Sequence, residues 1–238
     1  MEKACKPIAG RQPGRPGKDE PGRAPLLLRA AQTSFASLGF RAATVRGIAA
    51  AAGVDHTLVC HRFGSKEALW NAVIEQQSLY LAPFIAKLKS LQSEREVPIR
   101  VQIEATFRQL IAAIFGEPEC GLLFARISSE RGKHLDLLVE KLLRPAYDAL
   151  YPLLVEAVEA EVIRKQRLDL LYFMTLNALA MSVSSRHVLG YFGEDFHDFD
   201  RLKEDMSHFV IVNFFDNESL DASGIQLRKQ QKQSGRDH

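Results

Sequence analysis

The sequence predicts an all-α protein. Apolar residues recur at spacings of three and four through most of the 238-residue chain, as expected for helices that bury one face. No stretch shows sustained alternation of apolar and polar residues between turn signals, which a half-buried strand requires. Capping residues and glycines stand at the ends of the periodic segments. Together these observations predict about nine helices and no sheet.

The first helix is predicted over residues 24–38. Its apolar positions follow the spacing of one helical face, and Gly39 supplies a stop signal because glycine adopts positive φ without a Cβ penalty. The residues of that face are Leu28, Ala31, Phe35 and Leu38.

Two short helices follow, joined by a tight turn. Thr44 caps the first of them, and Asp55 caps the second, which runs to Arg62. Ala49 is small enough to let the second helix cross closely, and Gly53 can take the positive φ of the turn. This pattern is typical of a helix-turn-helix. The apolar contacts between the two helices come from Ile48, Ala52, Val54 and Val59.

A longer helical body is predicted after the turn. Ser65 caps a helix over 66–90, in which Pro83 introduces a kink rather than an end because the apolar periodicity resumes beyond it. Pro145 and Pro152 bend or divide a long central helix. The remaining helices are predicted over 98–115, 119–130, 134–161, 167–189 and 198–215.

The charge is distributed unevenly. Residues 1–66 carry eleven Lys and Arg side chains against four acidic ones, so the rest of a chain with net charge +2 is acidic. A basic N-terminal end on an acidic body favours nucleic acid as a partner. We predict a disordered basic arm over 1–23, a helix-turn-helix domain over 24–70, a body over 71–216 and a disordered polar tail over 217–238.

Several classes of protein are disfavoured. The three cysteines have no paired spacing, which argues against a disulfide framework or a zinc site and favours the cytoplasm. No apolar run is long enough to span a bilayer, so no membrane association is expected. Nucleophile elbows and phosphate-binding glycine loops are missing, so we expect neither an enzyme nor a cofactor. Glu194 and His197 share the spacing of one half of a dimetal site, but no second Glu-x-x-His occurs, and we interpret the segment as a solvated connection.

The sequence resembles the TetR family of transcriptional regulators over residues 26–75. The resemblance implies an all-helical homodimer in which the last two long helices of each chain form a four-helix interface. It also implies that a small molecule bound in the body changes the separation of two DNA-reading domains. The residues that carry the resemblance are Phe35, Gly39, Thr44, Val45, Ile48, Ala49, Ala52, Gly53, Val54, Phe63, Ser65 and Lys66.

In this family the third helix enters the major groove. His56, Thr57 and His61 then become candidates for contact with base edges or phosphates, although solvated polar residues on an exposed helix are the simpler alternative. Arg46 and Lys66 lie where the family contacts phosphates. The candidate DNA-binding set is completed by Thr44, Asp55, Cys60, Arg62 and Arg15.

Cys60 departs from the family pattern. A Tyr is usual there, and its hydroxyl donates to a phosphate, for which a thiol is too short and too weak a donor. Arg62 stands where His or Tyr is frequent, and our hypothesis is that its charge restores the phosphate contact. A redox-sensing Cys60 is the alternative, because His61 and Arg62 could lower its pKa.

The N-terminal arm allows two interpretations. Short arms that contain arginine can enter the narrow minor groove, where negative potential is concentrated. The same composition also suits a solubilising tail. The basic residues concerned are Arg11, Arg15, Lys18 and Arg23.

Large and polar residues of the body are candidates for an effector site. The simpler alternative is that aromatic and Met residues at helical spacing belong to the core, whereas polar Asn177 and Arg126 need partners if they are buried. The candidates are Phe84, Phe107, Phe124, Arg126, Tyr147, Tyr151, Phe173, Met174, Asn177 and Met181.

The sequence thus predicts a ligand-responsive regulator, most simply a repressor, that binds a near-palindromic operator as a homodimer. The alternatives are a DNA-binding protein controlled by a protein partner or acting architecturally, and a module that has lost specific DNA recognition. The expected partners are double-stranded DNA, a second copy of the chain and a small effector. The dimer surface is predicted on helices 167–189 and 198–215, from Leu171, Leu179, Phe199, Phe209, Val212 and Phe215.

Overall fold

The computed structural model describes residues 23–93, 96–193 and 198–215, and these residues form helices joined by short connections. Within this part of the chain the only β-type pairing is an isolated antiparallel bridge between Ile163 and Phe215, so the predicted all-α class is confirmed. The elements are α1 (Arg23–Ala42), α2 (Val45–Ala51), α3 (His56–Phe63), α4 (Lys66–Leu91), α5 (Ile99–Gly116), α6 (Pro118–Ile127), α7 (Lys133–Leu138), a π-helical segment (Val139–Leu143), α8 (Arg144–Glu159), α9 (Leu168–Ser184), α10 (Arg186–Leu189) and α11 (Phe199–Phe214).

The first helix breaks where the sequence predicts. Gly39 has φ 79° and ψ 165°, so regular helical geometry ends at residue 38 although α1 resumes for one more turn. Ala31 and Phe35 are buried as expected. Leu38 is 51% exposed and Leu27 is buried in its place. The predicted fourth position of the face was wrong because the buried stripe is displaced toward the N-terminus of the helix.

The long central helix contains a local change of geometry. The predicted 134–161 helix is continuous from α7 to α8, but it widens into the π-helical segment just before Pro145. Proline clashes with the carbonyl four residues earlier, and a wider turn relieves that clash. Pro152 and Pro83 lie inside α8 and α4 without ending them. The predicted 167–189 helix is interrupted at Ser185, which separates α9 from α10.

Two clusters of buried residues form the interior. The first joins α1, α2 and α3 to Trp70 and Val73 of α4, and it extends to Leu123 of α6 and Leu142 of the π-helical segment. The second lies in the body and centres on α5 and α8, with contributions from α9 and α11. Helix α4 contributes to both clusters, with Trp70 and Val73 in the first and Leu88 in the second. The N-terminal helices therefore pack on a core that is continuous with that of the body. The predicted domain limits remain a prediction.

Candidate nucleic-acid interface and body cavity

The ends of α2 and α3 are fixed by side-chain caps. The Thr44 hydroxyl accepts a hydrogen bond from the Gly47 amide at 3.0 Å. The Asp55 carboxylate accepts from the Thr57 amide at 2.7 Å and from the Thr57 hydroxyl at 2.6 Å. These bonds satisfy amides that the first helical turn leaves without partners. They also hold the pKa of Asp55 below its ordinary value.

The turn between α2 and α3 depends on small residues. Gly53 has φ 66°, and no atom lies within 4 Å of the position its Cβ would take. The glycine is therefore required by backbone conformation rather than by space. Ile48, Ala49 and Val59 are almost completely buried. These contacts confirm the predicted helix-turn-helix and fix the direction of α3.

The outer side of α3 presents polar side chains. Thr57, His61 and Arg62 are exposed, and the side chain of His56 is 40% exposed. The Thr57 hydroxyl donates its proton to Asp55, which leaves its oxygen as an acceptor. Asp55 carries negative charge on this same side, so its role in the geometry is to cap α3. Arg46 is exposed near the start of α2.

Cys60 is partly buried, whereas the neighbouring Arg62 points into solvent. The geometry therefore leaves the guanidinium of Arg62 available for a phosphate, as the compensation hypothesis requires. Arg11, Arg15 and Lys18 of the arm, Glu194 and His197, and the tail 217–238 lie outside the described residues. The predictions made for them stay predictions.

Lys66 is engaged by the protein itself. Its ammonium donates to the Phe40 carbonyl at 2.9 Å, the Ala43 carbonyl at 3.1 Å and the Arg41 carbonyl at 3.4 Å. It also lies 4.5 Å from the centre of the Phe40 ring. Because an ammonium has three donors, these carbonyls leave little capacity for the phosphate contact expected from the sequence. The side chain instead secures the end of α1 to the start of α4.

A second contact links the body to the N-terminal helices. Lys133 and His134 of α7 reach Glu67 of α4, with Nζ 2.6 Å from Oε1 and Nε2 3.0 Å from Oε2. The His134 ring stacks on Phe40 at a centroid distance of 3.7 Å. Burial alone would raise the pKa of Glu67, but the hydrogen bonds and positive charges of Lys133 and His134 lower it below its ordinary value.

The body contains an apolar cavity between α4, α5, α6, α7, the π-helical segment, α8 and α9. It encloses about 650 Å³ of empty space, its opening to solvent included. Its lining residues are Tyr80, Leu81, Phe84, Leu110, Ala113, Ile114, Cys120, Gly121, Phe124, Leu138, Leu142, Leu143, Ala146, Tyr172, Leu176 and Ala180.

Two of the residues predicted for an effector site line this cavity, namely Phe84 and Phe124. Phe107 is buried in the second core cluster instead. Tyr147 does not line the cavity but contacts Tyr172, which does, at a ring-centroid distance of 5.2 Å. Tyr151 is exposed next to Tyr147.

Arg126 is placed away from the cavity, at the contact between α6 and α1. Its guanidinium donates to the Leu38 carbonyl at 3.4 Å. Its Nε would lie 3.1 Å from a Cβ added to Gly39. The partner that the sequence required for this polar side chain is therefore the broken end of α1 rather than an effector.

The remaining candidates of α9 face solvent. Phe173, Met174 and Met181 are exposed, Met174 by 61%, and Asn177 donates to the Phe173 carbonyl of its own helix at 2.8 Å. None of them lines the cavity. Sequence periodicity alone could not show this, because α9 is apolar on several sides. Tyr80 lines the cavity but was not among the predicted residues; its spacing of four from Phe84 on α4 is the signal that could have found it.

The surface predicted for a dimer divides into exposed and buried residues. Phe209 of α11 is 57% exposed, whereas Leu179 and Phe215 are buried within the chain. Leu179 and Phe215 therefore belong to the protomer core, and their prediction as part of the dimer surface was wrong. Leu171 and Phe199 pack against the second cluster, and Val212 is half-buried.

None of the described helices is long and apolar enough to cross a membrane. No group of three or more metal-ligating side chains occurs among residues 23–93, 96–193 and 198–215.

The sequence and the fold both have known relatives. Residues 27–73 match the family of bacterial regulatory proteins described as the tetR family. No curated protein matches the chain. Many solved structures do.

Three solved structures illustrate the similarity. An alanine-substituted mutant of HlyIIR is 16% identical with a TM-score of 0.59, and the match covers 84% of this chain and 99% of that one. A putative fatty acid metabolism regulator from Clostridium perfringens is 20% identical, TM-score 0.58, over 80% and 99%. The fatty acid degradation regulator FadR from Bacillus halodurans is 17% identical, TM-score 0.55, over 79% and 97%.

The capped helix-turn-helix and the helical body define a DNA-binding transcription regulator. The match over residues 27–73 assigns this N-terminal segment to the TetR family, and the resemblance predicted over residues 26–75 is confirmed. At these identities the solved structures support the fold of the part of the chain that they cover and nothing more specific.

Proposed function

We propose that the protein is a repressor that binds a near-palindromic operator as a homodimer and is released by a small molecule bound in the body cavity. The observation that carries the proposal is the outer side of α3. A rigid, doubly capped helix there presents His56, Thr57 and His61 on a basic N-terminal domain. In this assignment these residues meet base edges, and Arg46 and Arg62 meet phosphates.

The exposed apolar face of α9 and α11 supports the dimer. Leu170, Phe173, Met174 and Met181 recur at helical spacing on α9, and Phe209 is exposed on α11. A group of exposed apolar residues of this kind is typical of an interface. A two-fold dimer would place one α3 in each of two major grooves, about one helical turn or a multiple apart.

Helix α6 offers a path from the cavity to the DNA-binding helices. Gly121 and Phe124 line the cavity, while Leu123, Phe124 and Ile127 belong to the cluster that holds α1. Arg126 also binds the end of α1. A ligand in the cavity that displaces α6 must therefore disturb the packing of α1 against α6. Because α3 packs with α1 in the same cluster, the direction of α3 changes as well. In thermodynamic terms, release requires that the occupant bind the displaced arrangement more tightly.

The test compares two neighbouring alanines of α5. Ala113 lines the cavity, whereas Ala112 is exposed. Operator binding is measured by fluorescence anisotropy on the intergenic DNA beside the gene, with and without a small-molecule fraction of cell extract. We expect the fraction to release the wild type and Ala112→Leu, and to leave Ala113→Leu bound because the added side chain fills the cavity.

Other outcomes decide against parts of the proposal. Release of Ala113→Leu to the same extent as the wild type would rule out the cavity as the effector site. Release only by a protein fraction would replace the effector by a protein partner. DNA binding that depends on salt concentration and shows no sequence preference would rule out recognition of a specific operator.

A further inference from the structure

The wall of the cavity carries no charged side chain. Of its sixteen lining residues, thirteen are aliphatic, phenylalanine or glycine, and the polar exceptions are Tyr80, Cys120 and Tyr172. An ionised group that entered the cavity would lose its hydration without gaining a counter-ion. The effective cost of that desolvation is several kcal/mol per ion, even after the protein relaxes.

The three polar groups are uncharged at neutral pH. Burial raises the pKa of the Cys120 thiol to about 12, and burial also raises the pKa of Tyr172 and of Tyr80. The charge that acts on both Cys120 and Tyr80 is that of Glu117, which is acidic and raises both pKa values further. The electrostatic surroundings thus disfavour an anion in particular.

Both tyrosine hydroxyls donate their protons to backbone carbonyls. Tyr80 donates to the Ala113 carbonyl at 3.2 Å, and Tyr172 donates to the Leu143 carbonyl at 3.1 Å. A phenolic oxygen that donates its proton keeps lone pairs that accept a hydrogen bond. The two tyrosine oxygens are therefore available as acceptors, and a ligand that forms a hydrogen bond with them must supply the donor.

We propose that the cavity takes an uncharged, largely apolar molecule with a hydroxyl donor, in the chemical class of alkanols and alkylphenols. This assignment rests on the proposed function, because it specifies the chemistry of the proposed effector site. Carboxylates of the same chain length are excluded by the missing counter-ion. Ketones and ethers gain the same apolar burial but no hydrogen bond to Tyr80 or Tyr172.

The test uses three probes with the same alkyl chain, n-octanol, octanoate and octylammonium, titrated by calorimetry into the full-length protein at neutral pH. We expect n-octanol to bind at least about a hundredfold more tightly than octanoate, since that ratio corresponds to the smaller estimates of the desolvation cost. Binding of octanoate or octylammonium as tight as that of n-octanol would overturn the proposal.

Variants at the two tyrosines test the donor. Tyr172→Phe and Tyr80→Phe should each weaken the binding of n-octanol by about three- to tenfold. They should leave the affinity for heptyl methyl ether unchanged, because the ether has no donor. Equal effects on the alcohol and the ether would show that the hydroxyls act only through shape, and would overturn the assignment of a donor.

The alanine pair separates this proposal from the proposed function. If n-octanol binds the wild type and Ala112→Leu but not Ala113→Leu, the cavity is the site of binding. If octanoate shows that pattern instead, the ligand class is wrong while the effector site stands. If none of the probes binds, the ligand class is wrong, and the release of Ala113→Leu from the operator alone decides on the cavity site. If a probe binds and Ala113→Leu leaves its affinity unchanged, the cavity is not the site at which that probe binds.

Discussion

Lys66 shows how one side chain can serve the DNA-binding domain without touching DNA. The last carbonyls of a helix lack amide partners and carry partial negative charge. Two such carbonyls, at Phe40 and Arg41, and the carbonyl of Ala43 just beyond α1 converge on the Lys66 ammonium. The lysine therefore completes the end of α1 and joins it to the start of α4, which lies directly after the helix-turn-helix.

Lys66→Ala should lower stability rather than weaken the electrostatic component of DNA binding. Loss of charge-assisted hydrogen bonds predicts a decrease of about 1–3 kcal/mol in the free energy of unfolding. The slope of log affinity against log salt should stay unchanged, because no phosphate contact is lost. Urea unfolding and anisotropy titrations at several salt concentrations measure the two quantities.

Arg62→Ala is the matched variant, and we expect the reverse result. Arg62 is exposed, so its removal should leave the unfolding midpoint nearly unchanged while the salt slope falls by about one phosphate contact. A reduced salt slope in Lys66→Ala with unaltered stability would contradict the structural role of the lysine. An unchanged slope in Arg62→Ala would refute the compensation for Cys60.

Glu67 predicts a pH dependence of stability with a definite sign. Its pKa is lowered in the folded protein from an ordinary value of 4.5, so its contribution is fully present above that value and is lost as the pH falls through the lower folded pKa. Glu67→Gln should cost about 1 kcal/mol at neutral pH. The difference from wild type should vanish in acid.

Chemical unfolding at a series of pH values from neutral to acid measures this difference. Glu104→Gln is a control, since it removes the carboxylate of an exposed pair on one helix, with Arg100, and should change stability at neutral pH by only a few tenths of a kcal/mol. A Glu67→Gln deficit that persisted unchanged in acid would mean that the charge of Glu67 is not its source.

At the scale of elements, the sequence predicted the N-terminal helices far better than the faces of the body helices. Thr44, Gly53 and Asp55 act on amides and dihedral angles within three residues, so local chemistry was enough to place them. The outward direction of Met174 on α9 depends on which neighbours pack against the other side of the helix. That information is tertiary, and a helix with apolar residues on several sides does not reveal it.

Lys66 and Arg126 illustrate the same limit for polar residues. Their carbonyl partners lie 23 to 26 residues away for Lys66 and 88 residues away for Arg126. The sequence showed that each needed a partner or a function, but not which one. Where the family pattern suggested a phosphate for Lys66, the packing of α1 against α4 supplied carbonyls instead.

The contact between α1 and α6 can be tested with two glycines. Gly39 and Gly64 both have positive φ, 79° and 74°, so alanine is strained at either position. Only at Gly39 would the new Cβ meet α6, through Arg126. We expect Gly39→Ala to cost about 1 kcal/mol more in unfolding free energy than Gly64→Ala, because Arg126 must leave the Leu38 carbonyl.

A double-mutant cycle with Arg126→Ala isolates the part of the unfolding free energy that comes from displacing Arg126. In the Arg126→Ala background Gly39→Ala should cost about 1 kcal/mol less than in the wild type, because the side chain that it displaces is already gone. If Gly39→Ala remained more costly in that background, the excess would come from the backbone of α1 rather than from its contact with α6.

At the scale of the whole molecule, several large apolar residues on α9 and α11 are exposed. Leu170, Phe173 and Met174 are each more than half exposed, and so is Phe209. Isolated exposed apolar residues need no explanation, but a group of them carries a cost in water that a second copy of the chain would remove. The proposed homodimer is the arrangement that pairs this face with itself.

Phe209→Asp should therefore convert the dimer to a monomer, because a two-fold interface buries the new charge twice without a counter-ion. Light scattering should show the mass of one chain, with an unchanged helical circular dichroism spectrum. Operator affinity should fall steeply, since each monomer holds only one half-site.

Leu79→Asp is the control, because Leu79 is 67% exposed on α4, and it should leave the mass unchanged. A dimer that survived Phe209→Asp would place the interface elsewhere, and dissociation by both variants would show that added charge alone, and not this face, controls assembly.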